Sequence, residues 1–210
     1  MRKQIGIYGM TLLAGALALP LLAQDEGGSS KKAAAPDEAA ADMMALYQKF
    51  AEPGEFHAHL RPMAGKWRIQ GKYRFVPGAP WVESKSAGES KWILGGRFLE
   101  MRVKGEPMAG SDLAFEGFGV FGYDNHKKKY TSMWMDNMGT MIMMGEGTCD
   151  SSGKVITMVS HFTDPVMNMK TSMRSVYRII NNEKYVLSMY GVGPDGKDFL
   201  MMELNYARIG

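Results

Sequence analysis

The chain predicts an all-β protein: a ten-stranded antiparallel up-and-down barrel with short N-terminal helices plugging one end. Three observations lead there. Over Gly65–Phe75, residues Trp67, Ile69, Gly71, Tyr73 and Phe75 alternate with Lys66, Arg68, Gln70, Lys72 and Arg74. Strand side chains alternate between faces, so one side suits an interior and the other suits water. The same device recurs downstream, punctuated by legible turns: Gly95-Gly96, Asp124-Asn125-His126, Ser151-Ser152-Gly153, Asp164-Pro165, Asn181-Asn182 and Pro194-Asp195-Gly196. No helix-length pattern interrupts the strands, which excludes crossover connections and a parallel sheet. An open sheet of ten strands would leave two edges and a bare apolar face, and closure removes both.

In chain order, Arg2 and Lys3 precede an apolar run from Ile5 to Leu22 that ends in Ala23. This reads as an export signal over residues 1–23, with an uncleaved anchor as the alternative. The mature protein is then expected to be periplasmic or secreted, without integral membrane association. Residues 24–41 contain Gly, Ser, Lys, Ala, Pro and acids but no large apolar side chain, so a mobile tether is expected. The barrel domain, with its helices, is expected over 42–210. Asp42 is a candidate N-cap for a helix bearing Met43, Leu46, Tyr47 and Phe50, which Pro53-Gly54 stops. A second short helical piece aligns Phe56, Leu60 and Met63. Strands are expected at about 65–75, 82–94, 97–105, 114–123, 129–137, 140–149, 154–163, 166–180, 184–192 and 198–209. Their inward faces carry aromatics and Met beside Gly and Ser, such as Gly117, Gly119, Ser84, Ser86 and Ser160. A solid core would use Leu, Ile and Val there, so a cavity is expected.

Composition removes several function classes. The 210 residues fit one domain, and 45% are hydrophobic, enough for a packed core. Loss of residues 1–23 takes away two cations and no acid, lowering the formal charge from +3 to +1. A nearly neutral protein offers no electrostatic case for nucleic acid. Cys149 is single, so no internal disulfide forms, and it reads as a small half-buried side chain.

Certain residues bear a family resemblance. His57, Leu60, Met63 and Gly65-x-Trp67 resemble the opening of the bacterial domain of unknown function 1579 family. So do Leu94-Gly95-Gly96-Arg97-Phe98-Leu99-Glu100, Phe115-Glu116-Gly117, Gly122-Tyr123-Asp124-Asn125, Lys129-Tyr130, Trp134-x-Asp136-x-Met138, Asp164-Pro165 and Met202-Glu203-Leu204-x-Tyr206-x-Arg208. The resemblance spans about residues 55–209. It implies a calycin-like barrel, often exported, without an established activity or agreed catalytic residues. Gly-x-Trp on the first strand with an Arg near the end of the last is also similar to lipocalins and fatty-acid-binding barrels. That likeness implies a structural role for Trp67 and Arg208, the Arg lying across the Trp to seal the base.

The chemistry-bearing residues divide as follows. The chain has 20 Met, grouped as Met133, Met135 and Met138, then Met141, Met143 and Met144, then Met167, Met169 and Met173. Met substituting for Leu and Ile in a pliable pocket is the plain reading, and thioether capture of Cu(I) is the alternative. His57-Ala-His59 lacks a metal-site spacing, His126 belongs to a Lys-rich turn, and His161 alternates outward. A barrel of this kind is able to hold haem through one His, but no His is singled out, so no cofactor or metal is expected. Gly117-Phe-Gly119-Val-Phe-Gly122 has dinucleotide-fingerprint spacing, yet it lies inside a strand with no following helix. Asp136 shares a face with Tyr130, Ser132 and Trp134 and is the one weak catalytic candidate, its alternative being a rim position.

The sequence therefore points to an exported barrel that binds a small apolar or amphipathic molecule. The expected lining is Trp67, Tyr73, Trp92, Phe121, Tyr123, Met158, Phe162, Met169, Met173 and Tyr206. Three alternatives stay open: an isomerase, lyase or hydrolase using a pocket carboxylate, a periplasmic Met-based Cu(I) binder, and a module with a filled interior.

Overall fold

The computed structural model describes residues 36–108, 110–165 and 168–210. The leader expected at 1–23, the tether up to residue 35, and Met167 lie outside the described residues. Helices α1 (Pro36–Ala51) and α2 (Glu55–Ala58) and a 3₁₀ turn (Arg61–Met63) precede ten strands. These are β1 (Gly65–Tyr73), β2 (Val82–Ile93), β3 (Phe98–Gly105), β4 (Phe115–Asp124), β5 (Lys129–Asp136), β6 (Met143–Cys149), β7 (Val155–Asp164), β8 (Met169–Asn181), β9 (Lys184–Val192) and β10 (Asp198–Arg208). Every strand pairs antiparallel with its sequence neighbour, and β1 pairs with β10 to close the barrel. The seam runs in register from Trp67 opposite Arg208 to Tyr73 opposite Met202. No helix among the described residues is long and apolar enough to cross a membrane.

The plug is smaller than the sequence suggested. Helix α1 begins at Pro36, six positions before the expected cap, so residues 36–41 are helical rather than part of a tether. Proline suits the first helical turn, and Asp37 and Glu38 there complement the helix dipole. Met43, Leu46, Tyr47 and Phe50 keep their helical spacing but remain exposed, so α1 does not cover the barrel. Its end is tied down by Asn125, whose side-chain amide donates to the carbonyls of Phe50 and Glu52 at 2.8 Å each. Closure falls instead to α2 and the 3₁₀ turn, which bury His57, Leu60 and Met63.

Arg208 holds that plug in place. Its guanidinium lies 4.4 Å from the centre of the Trp67 ring. It donates to the carbonyls of Ala64 (2.8 Å), Pro62 (2.9 Å) and Asn182 (2.6 Å). The Trp67 indole N–H donates to the Met63 carbonyl at 2.9 Å. Gly65, at φ +132°, is required here, because a Cβ would overlap the guanidinium as well as strain the backbone. Beneath the plug, Trp67, Leu99, Phe121, Tyr130, Ile156 and Tyr185 fill the closed half of the barrel. The open mouth lies at the far end, where β1 finishes and β2 begins.

Candidate functional site

Between this packed half and the mouth, the barrel encloses a cavity of about 330 Å³. That is the small end of the range for ligand sites, roughly 300–1,000 Å³. Its floor is made by Ile69, Met158, Tyr177 and Tyr206. Tyr206 is fixed from below by Tyr185, stacked at 4.0 Å, which in turn meets Trp67 edge-on at 4.8 Å. The walls carry Ser84, Ser86, Ser132, Ser160 and Ser175 among Met101, Met173 and Met189. Tyr73, Phe75, Phe115, Trp134, Asp136, Met138 and Met143 surround the mouth. Ten of the lining residues are Met, half of the 20 in the chain, so the lining is unusually deformable. A register shift in β10 between Leu200 and Met202 accompanies the presence of both Met201 and Met202 in that lining.

The glycines of β4 do not open this space. Gly117 and Gly119 are seats for Trp134 of the neighbouring strand: a Cβ on Gly119 would come within 2.7 Å of its ring, and one on Gly117 would overlap it. Asp136 sits at the end of β5, on the rim. Its carboxylate accepts from the Trp134 indole N–H at 2.9 Å and from the Met138 backbone N–H at 3.0 Å. In this arrangement Asp136 locks the indole against the wall.

The residues expected to line the cavity divide by depth. Tyr73, Met158, Met173 and Tyr206 line it. Trp67 and Phe121 are fully buried below its floor, and Trp92 packs against the same core. Tyr123 stacks on Phe56 at 4.6 Å under the plug. Phe162 is half-buried on β7 outside the lining, and Met169 is 64% exposed at the start of β8. Met101, Met189, Trp134, Ser132 and Ser175 line the cavity without having been named in the expected lining. Alternation in β3 (Leu99, Met101, Val103) and β9 (Leu187, Met189) carries the signal for two of them.

The methionine groups are dispersed. Met138 and Met143 lie at the mouth, Met141 and Met144 lie outside the lining, and of the four only Met143 is not exposed. Met169 and Met173 share a strand face but stand four residues apart, about 13 Å along a strand, too far for their sulfurs to meet on one ion.

No His lines the cavity. His57 is buried in α2, where its Nδ1 accepts from the Gly54 N–H at 3.1 Å, and burial holds its pKa below the usual value. His59 Nδ1 lies 2.7 Å from the Tyr130 hydroxyl. His126 meets Phe50 at a hairpin tip, and His161 is exposed on the outer face. Cys149 is half-buried; burial and then Asp150 raise its thiol pKa, the opposite of what a nucleophile needs. Among the described residues, no three His, Cys, Asp or Glu converge as a metal site. A shallower groove of about 400 Å³ lies outside the closed end, lined by residues including His59, Pro62, Lys154 and Asn181, and shares no residue with the cavity.

Fold and site together define a closed ten-stranded antiparallel barrel with a methionine-lined cavity opening at one end. The chain belongs to the family described as protein of unknown function DUF1579, whose model matches residues 52–208. Among solved structures, it is similar to Rv2717c from M. tuberculosis, with a TM-score of 0.56 and 15% identity. That match covers 76% of this chain and all of the mycobacterial one, and at this identity the likeness extends to the fold alone. A search of curated protein sequences returned no match.

Proposed function

We propose that this protein is exported and binds a small apolar or amphipathic molecule inside its barrel. The observation that carries the reading is the cavity of about 330 Å³, lined by Met, aromatic rings and hydroxyls, beside a closed half that is packed solid. Each large apolar contact taken from water contributes roughly 1.5–3 kcal/mol before ordering costs. Deformable Met side chains let one site fit more than one shape. Export rests on the basic and apolar start of the chain, Arg2 to Ala23.

The test is titration with a neutral, environment-sensitive naphthylamine dye, followed by its fluorescence and by tryptophan emission. Saturable binding is expected for the wild type. It should be lost in Ser175→Phe, which fills the cavity from a buried wall position. Wild-type protein that never takes up the dye, or a filled variant that binds it equally well, overturns the reading.

A further inference from the structure

Charge is confined to the mouth of the cavity. Of the residues that line it, only Lys85, Glu106 and Asp136 are ionisable side chains that carry charge at neutral pH. Lys85 alternates with inward Ser84 and Ser86 and is exposed on the outer face. Glu106 follows the last residue of β3, and Asp136 ends β5. Below that level the surface consists of thioethers, rings, hydroxyls and the aliphatic side chains of Ile69, Val103, Leu187 and Leu204. Tyr177 adds a phenol that burial keeps protonated, with a pKa pushed up to about 12.

Two of the hydroxyls converge. Ser132 of β5, Gly145 of β6 and Ser160 of β7 are in register across three neighbouring strands. A Cβ on Gly145 would lie 2.8 Å from Ser132 Oγ and 2.7 Å from Ser160 Oγ. The glycine therefore lets both hydroxyls close in on one point of the wall, with no room there for a methyl. Ser160 is only 7% exposed, yet neither hydroxyl has a hydrogen-bond partner among the described residues. No side-chain oxygen among the described residues is both fully buried and unpaired, so these two hydroxyls are open to the cavity, where a guest atom completes their bonding.

We infer that the cavity takes an uncharged molecule with an apolar body and one hydrogen-bonding oxygen (an alcohol, ketone or ester), seated oxygen-first between Ser132 and Ser160, in preference to a fatty-acid anion. This rests on the cavity being a binding site, as proposed above. A serine hydroxyl both donates and accepts, so the pair satisfies either a carbonyl or a hydroxyl. A carboxylate would lose its hydration with no cation directed into the interior to offset that loss, since Lys85 is exposed on the outer face, and it would first pass Glu106 and Asp136 at the rim.

The experiment is calorimetric titration of 1-octanol, 2-octanone and octanoate at pH 7.5 into wild type, the double variant Ser132→Ala/Ser160→Ala, and Gly145→Ala. The neutral probes are expected to bind the wild type at least ten-fold more tightly than octanoate does. The double variant should weaken both neutral probes by about ten-fold, the scale of losing two ordinary hydrogen bonds, with an unchanged melting temperature. Gly145→Ala should weaken them too, since its methyl would push the two hydroxyls apart. Octanoate binding as tightly as octanol, or octanol binding unchanged in the double variant, overturns the inference. If the neutral dye binds but neither octanol nor octanone does, the inference alone fails. If the dye fails as well, the cavity-binding reading fails with it.

Discussion

Replacing Arg208 with Ala should unfasten the plug without touching the cavity. Three hydrogen bonds from a charged donor disappear, together with the contact over Trp67. The bond to Asn182 is exposed, and its carbonyl rehydrates at little cost. Those to Ala64 and Pro62 are partly buried, and bonds of this charged kind contribute about 1.5–3 kcal/mol each. The cation–π contact adds roughly 0.5–2 kcal/mol. Glu183, at 3.6 Å and largely exposed, adds little. Since such contributions overlap, we expect a loss of about 4 kcal/mol, which for a domain of this size lowers the melting temperature by about 8–16 °C. Calorimetry and far-ultraviolet circular dichroism both read this. Arg208→Lys should recover no more than half, because one ammonium cannot reach carbonyls on several sides of the ring. A variant melting within about 2 °C of wild type would refute the assignment of Arg208 as the fastener.

Two further predictions concern pH. Burial lowers the pKa of His57, so the folded state resists protonation while the unfolded chain, near 6.5, does not. Its contribution to stability is therefore complete above pH 6.5 and lost as pH falls through the lower folded value; His57→Gln should flatten the change in melting temperature between pH 7.5 and 5. At the alkaline end, burial raises Tyr177 to about 12 and drives Tyr130, Tyr185 and Tyr206 up as well. Their stabilising effect is whole below pH 10 and fades as pH climbs toward the folded values. Absorbance at 295 nm should rise in two stages, the later one coinciding with loss of β-sheet signal; a single stage near pH 10 in folded protein would contradict the packing described.

The strands were legible because period-two alternation and Gly, Pro, Asn and Asp turns are local signals. Each observed strand lies within a few residues of its expected span. What alternation cannot say is how far along the barrel axis side chains from opposite walls meet. Phe121 and Tyr206 both point inward, yet one belongs to the packed half and the other to a cavity floor. For the same reason Gly117 and Gly119 suggested vacant space, although the large ring that uses it belongs to Trp134 on the next strand. The start of α1 was missed because Pro36, Asp37 and Glu38 are helix-opening residues followed by Ala, with no apolar stripe to announce them. Asp136 shows the limit at the site itself. Its face was readable, whereas its bond to the Trp134 indole depends on how the strand ends.

The seam between the first and last strands has a consequence for how the chain acquires its shape. Nine of the ten pairings join sequence neighbours and need only local hairpins, while Arg208 must find Ala64 from 144 residues away. Hairpins can therefore assemble progressively, but the circle waits for the final segment. A product stopped near residue 195 would hold β1 and β9 as raw, unpaired borders, each ready to recruit another molecule.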